Sequence, residues 1–332
     1  MSEKEEYKSL CERENSIPIF LSPWWMNAVC GEENWDVILI KNDSGIIAAM
    51  PYYLKKKFNF KYITQPLLTH KGGLWIKYPL NQKYSRRLSY QNHIVEEVIE
   101  QLEKLDIDSF AQNFDYEFQN WLPFYWKGFK EQTNYSYIIE DISNLDQVCK
   151  NFESSTRNSL KKAEKQVKVS EDIDLKQFYH INKMSFDRQN IPVPYSYEFV
   201  KNLDEACVRH SCRKMLCARD EQDRIHAVSY IVWDNNSAYG LMGGANPELR
   251  NSDAHTFINW EIIKFASTVT KRFDFGGSMI EPIERSFRGF GGILKPYFTI
   301  SKEMKKSHIF RTMKHLYFNN LWLRDIYNRL KE

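Results

Sequence analysis

Asp274 ends a short apolar run, Phe273-Asp274-Phe275, and is followed at once by Gly276-Gly277. A carboxylate so placed can orient an amine or act as a base. Its plainer role is to cap or turn the chain for the glycines. A second segment, Tyr239-Gly240-Leu241-Met242-Gly243-Gly244-Ala245, sets glycines inside an apolar strand pattern. Gly243 and Gly244 let another group approach the backbone and offer N–H groups to a carbonyl; the alternative is a bulge and a turn. Arg157, Lys161 and Lys162 form a basic helical patch fit for a diphosphate or a carboxylate, or else a solvated charged face. His255 follows Asp253 at the start of a predicted helix and is an acid/base candidate, as are Tyr239 and Glu284. No Ser-His-Asp or Cys-His arrangement stands out, so a covalent intermediate on the enzyme is not indicated.

These residues sit in a repeated order of elements. In the first half, Ser22-Pro23 opens a helix, with Ser22 as its predicted cap. Residues 35–40 and 46–54 read as strands across the Asn42-Asp43-Ser44-Gly45 turn. Ile94, Val98, Leu102 and Leu105 give a helix over 90–105, a short strand follows near 108–112, and residues 121–126 read as a Trp-rich loop. Residues 135–140 close this half as a strand. The second half opens with two helical signals, then helices over 175–189 and 197–207. Strands follow at 213–219, 225–233 and 237–242, then a helix over 253–270, a short buried strand at 273–275 and a last strand at 297–302. The order of elements repeats, although the residues do not. The predicted boundary lies near 141–150, giving domains 1–145 and 146–303 and a tail, 304–332. In that tail Ile309, Met313, Leu316, Leu323, Ile326 and Leu330 recur at helical spacing among basic residues.

Helices leading to a three-strand meander, a helix and a short strand are the order of GNAT acyltransferases. The segment Phe273-Asp274-Phe275-Gly276-Gly277-Ser278, running through Phe287-Arg288 to Phe290-Gly291-Gly292, resembles the FemAB-type pattern of peptidoglycan-bridge aminoacyltransferases. Thr156-Arg157-Asn158 resembles that family's Thr-Arg-x-Asn helix, and Ser22-Pro23-Trp24-Trp25 and Pro66-Leu67-Leu68-Thr69 its entry helix and sheet. The resemblance runs over residues 17–302. It implies an α+β fold of mixed sheet, with two tandem GNAT-like domains and the reactive site in their cleft. It also implies transfer of an acyl group to an amine of a cell-envelope or polysaccharide precursor, and makes Arg288, with Arg285 one turn away, an anion contact to donor or acceptor. The donor would be acyl-CoA or, as in the bridge enzymes, charged tRNA. The GNAT pyrophosphate loop is altered: Ser252 stands where glycine is expected, and Asp253 would bring its own carboxylate to a helix N-terminus that should hold phosphate.

The chain of 332 residues suits about two domains. A net charge of +3 does not announce nucleic acid, and no DNA partner is expected. Residues 1–14 lack the apolar stretch of a signal peptide, and no run of about 18 apolar residues exists. The expectation is therefore a soluble cytoplasmic protein, with peripheral membrane contact open through the tail. Cys207, His210, Cys212 and Cys217 lie close together but show no CxxC pair, so buried free thiols are expected and no metal. An acyl-CoA-dependent N-acyltransferase is the first reading. An aminoacyl-tRNA-dependent transferase and a non-catalytic carbohydrate- or protein-binding module are the alternatives.

Overall fold

The computed structural model describes residues 2–277 and 279–304, so the basic tail after 304 lies outside the described residues. The first half contains α1 (Glu3–Cys11), α2 (Pro23–Cys30), β1 (Trp35–Asn42), β2 (Gly45–Lys57), β3 (Phe60–Thr64) and β4 (Trp75–Ile76). It continues with α3 (Tyr84–Lys104), β5 (Ser109–Asn113), α4 (Leu122–Trp126) and β6 (Lys130–Ile139). The second half contains α5 (Leu145–Lys150), α6 (Ser154–Ala163), β7 (Lys168–Ser170), α7 (Leu175–Asp187) and α8 (Tyr197–Arg209). Then come β8 (Arg213–Arg219), β9 (Ile225–Trp233), β10 (Ala238–Ala245), α9 (Ala254–Ala266), β11 (Phe273–Asp274), α10 (Glu281–Arg288) and β12 (Ile293–Glu303). This is a mixed α+β fold on one continuous sheet, in the order β1-β2-β3-β5-β12-β6-β11-β10-β9-β8-β7, with β4 beside β2.

That order has an internal symmetry. In the first half an antiparallel meander leads to β3, which runs parallel to β5. In the second half the meander β8-β9-β10 leads to a parallel partner, β11. Each half is then completed by a strand from the other: β12 lies antiparallel to β5, and β6 antiparallel to β11. The exchanged strands pair with each other over nine residues, Ile293↔Ile138 to Ser301↔Lys130, and weld the halves together. A strand pair of that length buries backbone groups that neither half alone could satisfy.

The core follows the amphipathic faces. Ile94, Val98 and Leu102 of α3 pack on the first half's sheet with Phe110, Phe114 and Phe124. In the second half α6 and α9 cover one face, through Leu160, Ile258 and Ile262. Phe178 of α7 and Val200 and Leu203 of α8 cover the other, together with Trp25 of α2. Local signals mark several starts: Asp174 and Gln177 form a capping box on α7, and Ser196 caps α8. The Asn42–Gly45 turn forms as expected, with Ser44 N–H donating to Asn42 Oδ1 at 2.9 Å.

Some local expectations are corrected. Ser22 occupies the cap position of α2, but its hydroxyl donates backwards to Ile19 O at 2.6 Å instead of capping. The 121–126 stretch is the short helix α4, because Pro123 suits a first turn and Phe124 is pulled into the core. The helices α1 and α10 were not among the sequence expectations, although Ser2 and Glu5 form a capping box on α1. All six cysteines are free, and Cys207, Cys212 and Cys217 are buried.

Candidate active site between the halves

The strand β10 pairs with β11 only at Ala238↔Phe273 and Tyr239↔Asp274. It then runs on to Ala245 with no strand on that side among the described residues. The register against β9 shifts between Gly240 and Met242, so the strand carries an extra residue at Leu241 where the two parallel strands part. Farther along, α7 lies against the strand: Asn182 Nδ2 donates to Gly243 O at 2.7 Å, and Ala245 N–H donates to Ser185 Oγ at 3.1 Å. A Cβ on Gly244 would come within 2.7 Å of Ile181 O, so close helix packing is what requires glycine there.

At the base of the opening lies a buried polar cluster drawn from both halves. Asp274 is fully buried, and its register partner Tyr239 nearly so. The Asp274 Oδ2 atom pairs with Lys71 Nζ. Its Oδ1 accepts from Ser136 Oγ at 2.5 Å and from the Gly276 N–H at 2.9 Å. Burial opposes ionisation of Asp274, but Lys71, Ser136 and Gly276 outweigh it and hold the carboxyl below its ordinary range. The Lys71 ammonium also lies 3.7 Å from Asp115 Oδ2 and 3.9 Å from the centre of the Tyr116 ring. Asp115 differs from Asp274 in that its side chain keeps 31% exposure. Burial raises its pKa, opposed by Lys71. His70 packs beside the cluster, with Nδ1 buried and lacking a hydrogen-bond partner. Burial lowers its pKa to about 4, so the ring is neutral at neutral pH.

At the far end of β10 stands the N-terminus of α9. Asp253 precedes the helix in the left-handed region, φ 57°, and its side chain does not cap it. The carboxylate turns instead to Lys162 Nζ at 3.0 Å. This corrects the expectation that Asp253 would block the helix end. Ser252 Oγ bonds His226 Nδ1 at 2.8 Å and accepts weakly from Ala254 N–H at 3.3 Å. His255 sits in the first turn, its pKa lowered by burial and then by the charges of Arg188 and Arg250. The pKa of Arg188 is in turn lowered by burial and by Arg250. The charges of Arg188 and Arg250 are thus both felt in the first turn of α9.

The other residues singled out from sequence lie elsewhere. The Arg157 guanidinium donates to Phe152 O, and to Lys150 O at 3.4 Å, closing the end of α5. Lys161 is exposed on α6. Arg288 pairs with Glu284 at 3.1 Å and lies 4.0 Å from Glu153, while Glu284 also accepts from Tyr137 OH at 2.5 Å. Arg285 is an exposed residue 3.9 Å from Glu281. The two motif segments meet one another. Buried Phe290 packs on Phe152, ring centres 5.1 Å apart, and a Cβ on Gly289 would come within 2.5 Å of Thr156 Oγ1. Asp274 and Tyr239 therefore belong to one cluster, His255 to a second place on the same strand path, and Arg157, Arg285 and Arg288 to a third. Lys71, Asp115, His70 and Ser136 went unread because their partners lie far away in sequence.

Comparison with known proteins agrees with this fold. The family of the acetyltransferase (GNAT) domain matches residues 150–281. The second half therefore carries a GNAT domain, and acyl transfer is the reaction class that this domain defines. The whole fold is similar to the crystal structure of FemX, with 12% identity, coverage of 90% of this chain and 96% of that one, and a TM-score of 0.67. It is similar also to a conserved protein of unknown function from Bacteroides thetaiotaomicron VPI-5482, with 11% identity, coverage of 90% and 96%, and a TM-score of 0.53. The structure of L-PGS from Bacillus licheniformis matches at 10% identity, with coverage of 93% and 94% and a TM-score of 0.51. At these identities the likeness is one of fold: the chain is FemX-like in architecture and GNAT-like in its second half. No curated protein sequence matches it. Among the described residues no group of three or more His, Cys, Asp or Glu could hold a metal, and no helix is long and apolar enough to cross a membrane.

Proposed function

We propose that this chain transfers an acyl group from acyl-CoA to an amine of a cell-envelope or polysaccharide precursor. The observation that carries the donor is the N-terminus of α9, where the charges of Arg188 and Arg250 are felt and Asp253 is paired with Lys162. A diphosphate there would meet the positive end of the helix dipole and both guanidinium groups. From Ala245 back to Gly240 the open strand spans about 17 Å at ~3.3 Å per residue. That length suits an extended pantetheine arm, with the thioester at the parting of β10 and β11.

The acceptor amine would then enter beside Asp115, the carboxylate of the cluster that is only half-buried. Its raised pKa and its position beside Lys71 suit a general base. The amine nitrogen attacks the thioester carbon, the C–N bond forms and the C–S bond breaks. The proton that the amine loses passes to Asp115 and is returned to the departing thiolate, giving amide and free CoA. Asp274 has no exposed surface and spends its oxygens on Lys71, Ser136 and Gly276. Its role is to hold Lys71, and through it Asp115, in place.

The test is thiol release from acetyl-CoA with a panel of amino sugars. Asp115→Asn is expected to lower kcat on the order of 10²-fold or more with little change in KM for the donor. If no acyl-CoA is consumed with any acceptor while charged tRNA is deacylated, the donor is tRNA and this reading fails.

A further inference from the structure

Two segments of the first half contain cations and no carboxylate. Residues 77–95 hold four cations, and residues 119–130 hold two, with no Asp or Glu in either. They are far apart in sequence but joined in the fold. Gln91 Nε2 donates to Asn120 O at 3.5 Å, and Asn120 Nδ2 to Asn92 Oδ1 at 2.6 Å. The first half of α3, two turns in from Tyr84, thus adjoins the residues that lead into α4.

The same two segments expose large apolar side chains. Leu80 is 90% exposed and Tyr84 76%, while Leu122, Tyr125 and Trp126 are 49%, 60% and 58% exposed. Single exposed apolar residues are ordinary, whereas five on two adjoining segments call for a partner. Each belongs to a type that occupies a bilayer interface: leucine enters the acyl region, and Tyr and Trp settle at the headgroups. Lys83, Arg86, Lys127 and Lys130 are exposed beside them and are matched to anionic headgroups.

We propose that this corner of the first half, at the N-terminal ends of α3 and α4, docks on the surface of an anionic lipid bilayer. The charge pattern alone would also suit a nucleic acid. The protruding leucines decide against it, since base recognition uses rings as stacking platforms and gains little from aliphatic tips. The docking would hold the protein against a membrane by a shallow surface contact, with no spanning helix. It is independent of the donor and acceptor proposed above.

The test is co-sedimentation of the full chain with large vesicles of phosphatidylcholine alone or with about one third phosphatidylglycerol. Binding is expected only to the anionic vesicles and should weaken steeply between about 0.1 and 0.5 M salt. Lys83→Glu with Arg86→Glu should weaken it by on the order of tenfold or more. Leu80→Ser with Trp126→Ser should weaken it comparably while leaving much of the salt dependence. All four positions are exposed, so circular dichroism and acyl-transfer activity in solution should remain at wild-type levels. Failure to bind anionic vesicles, equal binding to neutral ones, or variants that bind like wild type would each overturn the proposal. So would binding to RNA that the same variants abolish while vesicle binding is absent.

Discussion

Lys71 and Asp274 form an ion pair in which both side chains are almost wholly removed from water. Such a pair costs desolvation on both sides, and its loss is felt most when one charge is left behind. Lys71→Met or Asp274→Asn alone is expected to destabilise the fold by about 3–5 kcal/mol in denaturant unfolding. The double change Lys71→Met/Asp274→Leu should recover most of that loss, because no orphan charge remains. If the single and double variants lost the same amount, the pair would not be coupled. The neighbouring His70 gives a separate signature. Its folded pKa lies near 4, below the ordinary value of 6.5, because burial disfavours the cation. The unfolded chain therefore binds the proton first, and stability present above pH 6.5 is lost as pH falls through 4. That loss is at most about 3 kcal/mol. His70→Gln should flatten the pH dependence within this window and leave the acid limb below it, where Asp274 titrates. A wild-type curve flat between these values would contradict the neutral buried ring.

The elements explain why part of the site was legible and part was not. Asp274 could be found because Phe273-Asp274-Phe275 precedes two glycines, and a carboxylate before Gly-Gly is a local signal. Its partner Lys71 lies 203 positions away and reaches it across the seam made by the exchanged strands. No periodicity in one sequence encodes that. The meander β8-β9-β10 was legible from its apolar runs and the polar turns between them. The exchange of β6 and β12 was not, because a strand's own residues do not name its neighbour. Gly244 was read as a carbonyl cradle or a bulge, yet its reason lies in a different element, the backbone of α7. Gly244→Ala would drive a methyl group into Ile181 O and Asn182 Cα, backbone atoms that move only with the helix. It should destabilise the protein by about 1–3 kcal/mol in thermal or denaturant unfolding. It should also weaken donor affinity, since Arg188 directly follows α7. A neutral effect on both would place α7 farther from β10.

At the scale of the whole molecule, two similar halves have been given different work. The first brings Lys71, Asp115 and Tyr116 to the seam, and the second brings Asp274 and the open strand leading to α9. The site exists only because each half lends a strand to the other's sheet. The reading of the chain as an acyl-CoA enzyme then turns on whether the far end of that strand takes a diphosphate. Isothermal titration of the full chain with acetyl-CoA, beside an Arg188→Gln/Arg250→Gln variant, addresses this directly. One saturable site is expected, with the double variant at least tenfold weaker, as about 1.4 kcal/mol of lost charge-assisted bonding implies. Absence of binding by the wild type, or equal affinity in the variant, would contradict it.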